Sequence, residues 1–99
     1  VLLLIVSFAD RGTKDIFDGK NSKVARKKLP PELHEKGAKT LDRLNSAVSL
    51  RSLSLPGLRL KKLEGDRAGQ HSIRINKQYR VCFRWTDAGA EEVEITDYH

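Results

Sequence analysis

The stretch Tyr79-Arg80-Val81-Cys82-Phe83-Arg84-Trp85 sets large apolar or aromatic side chains at every second position. Successive side chains of an extended strand point to opposite faces, so this period of two marks a strand with one covered face. Tyr79, Val81, Phe83 and Trp85 take that face, which leaves Arg80 and Arg84 with Cys82 on the other. Ser72 to Asn76 alternates in the same way around Ile73 and Ile75, so Ser72, Arg74 and Asn76 oppose the apolar pair. A last strand centres on Val93 and Ile95. Asn76-Lys77-Gln78 and Asp87-Ala88-Gly89-Ala90 supply turns between them, giving an antiparallel meander. Leu58, Leu60 and Leu63 mark a short strand, or its exit, ahead of it.

Working back from the meander, Ser46 to Gly57 mixes Leu50, Leu53 and Leu55 with serines and ends in a Pro56-Gly57 turn, which predicts a connector holding one helical turn. Leu33, Gly37, Leu41, Leu44 and Val48 recur at spacings of three or four, so a helix beginning near Pro31 or Glu32 carries them on one face. Before it, Ile16, Phe17, Val24, Ala25 and Leu29 belong to one broken helix or two short ones. Gly19, Asn21 and Ser22 supply the stop and a new N-cap, and Pro30-Pro31 ends the second piece. Val1 to Val6 reads as a buried first strand, too short for a membrane span or a secretory segment. The sequence does not open on Met, which leaves open where the native chain begins. The expected architecture is α+β: an N-terminal strand, two to three helices, then the meander, in a single domain over residues 1–99.

Length and composition bound the chemistry. With 99 residues, one domain with a modest core is the prior, and a large multi-layer enzyme does not fit. Cys82 is the only cysteine, so no internal disulfide forms, a structural zinc site lacks its thiolates, and the cytoplasm is the natural compartment. No Gly-x-Ser-x-Gly elbow, Gly-x-x-x-x-Gly-Lys loop or Gly-x-Gly-x-x-Gly fingerprint occurs, which leaves serine hydrolysis and nucleotide-cofactor chemistry without support.

Nineteen Lys and Arg against 13 Asp and Glu give a formal charge of +6. Arg74, Arg80 and Arg84 share the uncovered strand face, and Lys61, Lys62 and Arg67 rim it, a cationic surface suited to phosphates. Lys20, Lys23, Arg26, Lys27 and Lys28 form a separate helical stripe. A second reading pairs the strand arginines with Glu92 and Glu94 and leaves the stripe an ordinary solvated face. The ending Asp97-Tyr98-His99 consists wholly of side chains able to accept, donate or orient a proton, and histidine titrates near neutrality. A polar terminal tail is also commonly no more than solvated. His71 and His34 have weaker claims, and no His/Cys/carboxylate set has metal-ligand spacing.

Arg59-Leu60, Leu63-Glu64-Gly65-Asp66-Arg67, Gly69-Gln70-His71-Ser72-Ile73-Arg74-Ile75-Asn76, Tyr79 to Trp85 and Glu94-Ile95-Thr96-Asp97-Tyr98-His99, in this order, resemble the HigB toxins of the RelE/ParE superfamily. Phe8 to Gly19 also fits, so the resemblance covers nearly the whole chain. It implies a RelE-like fold and a toxin of a type II toxin–antitoxin pair, acting as a metal-independent endoribonuclease on mRNA in the ribosome. It also implies a HigA-like helix-turn-helix antitoxin, through which the pair reaches operator DNA. No cofactor and no membrane are implied.

By the same resemblance Arg80 matches the arginine beside the scissile phosphate, and Asp97, Tyr98 and His99 match the family's Asp-Tyr-His ending. Lys61 stands where some members carry a catalytic histidine, and Glu64 where a lysine is common. The expected catalytic set is therefore Arg80, Asp97, Tyr98, His99 and Lys61, with Lys62, Arg67, Arg74 and Arg84 binding RNA. Two other functions share this fold: a ParE-like toxin that poisons DNA gyrase, and a non-catalytic RNA-binding domain.

Overall fold

The computed structural model describes residues 4–97; Val1 to Leu3 of the expected first strand, together with Tyr98 and His99, lie outside the described residues. The chain runs β1 (Leu4–Ile5), α1 (Arg11–Phe17), α2 (Lys23–Lys28), α3 (His34–Asn45), β2 (Lys61–Lys62), β3 (His71–Arg74), β4 (Tyr79–Thr86) and β5 (Gly89–Asp97). Short 3-10 turns at Pro31–Leu33, Leu50–Leu53 and Gly65–Arg67 join the larger elements. The α+β reading of the sequence holds.

The helix boundaries follow from local chemistry. Asp10 caps α1 by accepting from the Thr13 amide, and Ser22 caps α2 by accepting from the Ala25 amide. Gly19 reverses the chain between them at a φ of 77°. Leu29, extended ahead of Pro30, ends α2, and Pro31 opens the turn into α3. His34 Nε2 lies 2.7 Å from the Leu29 carbonyl and 3.2 Å from that of Ala25, so this histidine serves the end of α2. Gly37, Leu41 and Leu44 line the buried face of α3 as expected, whereas Val48 falls beyond the helix end and is 62% exposed.

The strands form one sheet in the order β1-β5-β4-β3-β2. The meander β2-β3-β4-β5 is antiparallel, while β1 pairs parallel to β5 through Leu4↔Gly89 and Ile5↔Ala90. The first strand is not buried as expected: Leu4 is 51% and Val6 49% exposed, because β1 lies at the sheet edge and only Ile5 packs inward. Asn76 builds the β3–β4 turn, its Oδ1 accepting from the amides of Gln78 and Tyr79.

Between Cys82 and Arg84 the β4–β5 register slips by one residue, and Glu92 takes a φ of 53° there. This bulge lets Ala90, Val93 and Ile95 all face inward although a strict alternation would not. Ile16, Ala25, Leu29, Leu41 and Leu44 pack on Ile73, Val81, Phe83, Val93 and Ile95, so the helices cover one face of the sheet. Gly37 permits the close approach of α3, since a Cβ there would stand 2.7 Å from a Leu29 methyl.

The outer edge of β5 is closed by the chain entering α1. Ala9 donates to Val93, Val93 to Ser7, and Glu92 to the Ser7 hydroxyl. Thr13, fully buried, accepts from the Ile95 amide at 3.0 Å and sits 3.2 Å from Asp10 Oδ2. Replacing Thr13 by isosteric valine strands that buried amide, which costs about 1–3 kcal/mol. Urea unfolding of Thr13→Val should show that loss; a change below about 0.5 kcal/mol would mean another group satisfies the amide.

Candidate active site

Directly opposed residues of an antiparallel pair share a face. Ser72 lies opposite Cys82, and Arg74 opposite Arg80. β2 adds Lys61 opposite Ser72, and β5 adds Glu94 opposite Cys82 and Thr96 opposite Arg80. The face turned away from the helices therefore carries a row Lys61, Ser72, Cys82, Glu94, and beside it a row Arg74, Arg80, Thr96.

Arg80 leans from its own row into the first. Its Nε donates to Ser72 Oγ at 2.7 Å and its Nη2 to the Arg59 carbonyl at 2.6 Å. Ser72 is fully buried, so its hydroxyl is a fixed acceptor. Arg59 presents its carbonyl from a left-handed backbone, φ 46°, uncommon for a residue with a Cβ. Two anchors on separate segments thus hold one planar guanidinium, next to the Lys61 strand. Across from it, Thr96 Oγ1 is buried with no hydrogen-bond partner among the described residues.

The remaining cations are placed less uniformly than the alternation implies. Arg67 pairs with Glu94 at 3.1 Å and donates to Gln70 at 3.1 Å. Lys28 reaches the same Glu94 at 3.4 Å and Asp10 at 3.1 Å. Glu94 is thus a hub that draws residues 65–67 over the arginine face, and Cys82 on that face is fully buried. Arg84 pairs with Glu92 at 3.2 Å and lies over Gly69, where a Cβ would come within 2.8 Å of its Nη1. Of the expected arginine pairings with Glu92 and Glu94, Arg84 makes its own, whereas Arg80 is held by Ser72 and Arg59. Lys28 leaves the expected solvated stripe to form ion pairs.

Lys61, Lys62, Glu64, Asp66 and Arg67 line a groove of ≈ 450 Å³ beside the Lys61 row. Lys62 pairs with His71, which puts it on the other side of the strand from Lys61. Asp97 pairs with Tyr79, not with Arg80, and accepts from Gln78 Nε2 at 3.1 Å. The structure thus brings Lys61, Arg74 and Arg80 together around Ser72, spends Arg67 and Arg84 on carboxylates, and ends the described strand at Asp97. Ser72 was readable by parity as the small residue of the arginine face. The Arg59 carbonyl carried no signal in the sequence, because its role depends on a backbone angle.

Among the described residues no group of three His, Cys, Asp or Glu side chains could hold a metal ion. No helix among them is long and apolar enough to cross a membrane.

His71, on the helix side of β3, stacks near Phe83 with ring centroids 6.3 Å apart, and its Nδ1 is buried without a hydrogen-bond partner among the described residues. Burial first, and the Lys62 ammonium second, hold its pKa below the ordinary 6.5. The unfolded chain therefore binds this proton more readily than the folded one. The stability tied to neutral His71 is complete above pH 6.5 and is lost as the pH falls below it. Urea unfolding at pH values either side of 6.5 should show the wild type losing ground to His71→Phe on the acid side; parallel curves would contradict the assignment.

Residues 6–99 match the HigB-like toxin family, described as the RelE-like toxin of the type II toxin–antitoxin system HigB. The chain is similar to Toxin HigB-1 of Vibrio cholerae serotype O1, 38% identical over 63 residues, which are 63% of this chain and 66% of that protein. The chain thus spans just under two thirds of that relative's length. It is also similar to Endoribonuclease HigB of Proteus vulgaris, 26% identical over 96 residues, covering 97% of this chain and 100% of that protein. With nearly every described residue inside the match and the α+β sheet in place, the chain belongs to the HigB-like family of RelE-like toxins.

Proposed function

We propose that this protein is the toxin of a type II toxin–antitoxin pair and cleaves mRNA on the ribosome by metal-independent acid–base transesterification. The observation that carries the proposal is Arg80, whose guanidinium is anchored by Ser72 and the Arg59 carbonyl beside Lys61. The name Endoribonuclease HigB borne by the Proteus vulgaris relative supports the same reading. A HigA-like helix-turn-helix antitoxin is the proposed partner, linking the pair to operator DNA, and the cytoplasm is the proposed site of action.

Transesterification needs three things: removal of the 2′-hydroxyl proton, stabilisation of charge on the phosphorane, and a proton for the leaving 5′-oxygen. Arg80 meets the second need, since its planar fork offers paired hydrogen bonds and stays cationic at working pH. An arginine already held by two anchors reorganises little when the charge develops, which is where such donors contribute most. Lys61, on the adjoining row, adds positive charge or serves as base. His99 is the proposed general acid or base, with Asp97 orienting it and Tyr98 stacking on a base. Lys62, Arg67, Arg74 and Arg84 are the proposed RNA contacts. Of these Arg74 stands nearest by register, directly opposite Arg80.

Arg80→Ala should lower cleavage of translated mRNA by about 10²-fold or more, the scale for losing one preorganised donor to a developing oxyanion. Primer extension on ribosome-bound message reads this directly; full-rate cutting by a folded Arg80→Ala protein would remove Arg80 from the mechanism. Deleting 97–99 should abolish the cuts while leaving urea stability nearly unchanged, because terminal residues rarely anchor a core. Retained toxicity in that deletion would contradict the roles given to the ending, and gyrase-linked DNA breaks in place of mRNA cuts would overturn the whole reading.

A further inference from the structure

The contacts of β3 with the segment ahead of it do not run in even steps. Lys61 lies opposite Ser72, and Leu63 donates to the Gln70 carbonyl, so hydrogen-bonded pairs fall at every second residue. An unbroken ladder would next give the Arg74 amide to the Arg59 carbonyl. That amide donates to the Leu58 carbonyl instead, at 2.6 Å. Leu58 and Arg59 thus oppose one residue of β3, which is a β-bulge with Arg59 as its left-handed member at a φ of 46°. Glycine is the usual residue for such a conformation. The carbonyl released from the ladder is the one that accepts from Arg80 Nη2 at 2.6 Å.

The second anchor works against a repulsion. Arg80 stands directly opposite Arg74, a placement in which like charges destabilise a sheet. Ser72 is its diagonal neighbour, two residues from Arg74 and within reach of a long side chain. Arg80 Nε donates to Ser72 Oγ at 2.7 Å, which draws the guanidinium off the direct line to Arg74. Fixing a side chain with this many rotatable bonds costs conformational entropy, and two contacts on separate segments offset that cost before any substrate arrives. A bulge that carries a strained non-glycine residue and a fully buried serine therefore converge on one guanidinium.

We propose that Ser72 and the Leu58–Arg59 bulge are positioning elements for Arg80, acting on the cleavage step through its orientation without touching RNA themselves. The proposal rests on the RNA-cleaving role given to Arg80 above. At position 59 the backbone carbonyl supplies the positioning, and the cationic side chain is incidental to it.

The test uses the full chain and single-turnover cleavage of mRNA on the ribosome. Toxin concentration is varied, so the rate at saturation is separated from the concentration that gives half of it. Ser72→Ala should cut about tenfold or more slowly at saturation, with the half-saturating concentration within about twofold of wild type. Arg59→Gly and Arg59→Val remove the same cation, but only glycine takes a left-handed φ freely. The glycine variant should cut at least about tenfold faster than the valine variant. In an Arg80→Ala background both differences should vanish, because the group being positioned is gone. Wild-type cutting by Ser72→Ala, equal rates for the glycine and valine variants, or differences that persist without Arg80 would each overturn the proposal. Should one of these variants fail to fold by urea unfolding, the series at the other position decides. Full-rate cutting by Arg80→Ala itself would instead remove the role of Arg80, so the two failures are told apart.

Discussion

Burial of Ile73, Val81, Phe83, Val93 and Ile95 beneath the helices fixes the phase of three neighbouring strands. Side chains alternate, so that single act of burial also turns Ser72, Arg74, Arg80 and Thr96 to the other face. A slip of one residue in β4 would bury two arginines and expose Val81 and Phe83. The hydrophobic core therefore sets the position of the functional arginine as firmly as any contact the arginine makes. Ser72 and the Arg59 carbonyl then narrow its orientation, and the left-handed turn at Arg59 is the local strain accepted in doing so.

The distribution of charge divides the cations by use. Glu94 holds Arg67 and Lys28, and Glu92 holds Arg84, so several of the basic residues on or near the arginine face act as straps between elements. Pairs of this partly exposed kind contribute modestly to stability, and their larger effect here is to hold the 3-10 turn at Gly65–Arg67 over the sheet. Cations without a carboxylate partner among the described residues stand both on α3, as Lys36 and Arg43, and around α2, as Lys20, Lys23 and Lys27. The formal charge of +6 thus includes cations that strap elements together and cations that face solvent on several elements.

Much of the fold was legible because it rests on local signals. Ser22 as a cap, Pro30-Pro31 as a break, Asn76 as a turn residue and the alternation from Tyr79 to Trp85 each act within a few residues of themselves. What escaped depends on distant partners. The parallel pairing that leaves Leu4 exposed, the bulge at Glu92 that brings Ala90 inward, and the Arg67–Glu94 pair beside buried Cys82 are set by chain segments far apart in sequence. The site divides the same way. Parity placed Arg80 and Arg74 on one face, while pairing with Tyr79 puts Asp97, and pairing with His71 puts Lys62, on the other.

The central claim is that the phase of the buried strands presents an anchored Arg80 to an RNA phosphate. The most direct measurement is a structure of the toxin on a ribosome whose mRNA carries a 2′-O-methyl group at the cleavage position. The claim predicts the scissile phosphate about 3 Å from the Arg80 guanidinium with the Ser72 contact intact. A phosphate bound on the helix-covered side, or beyond hydrogen-bond reach of Arg80, would contradict it.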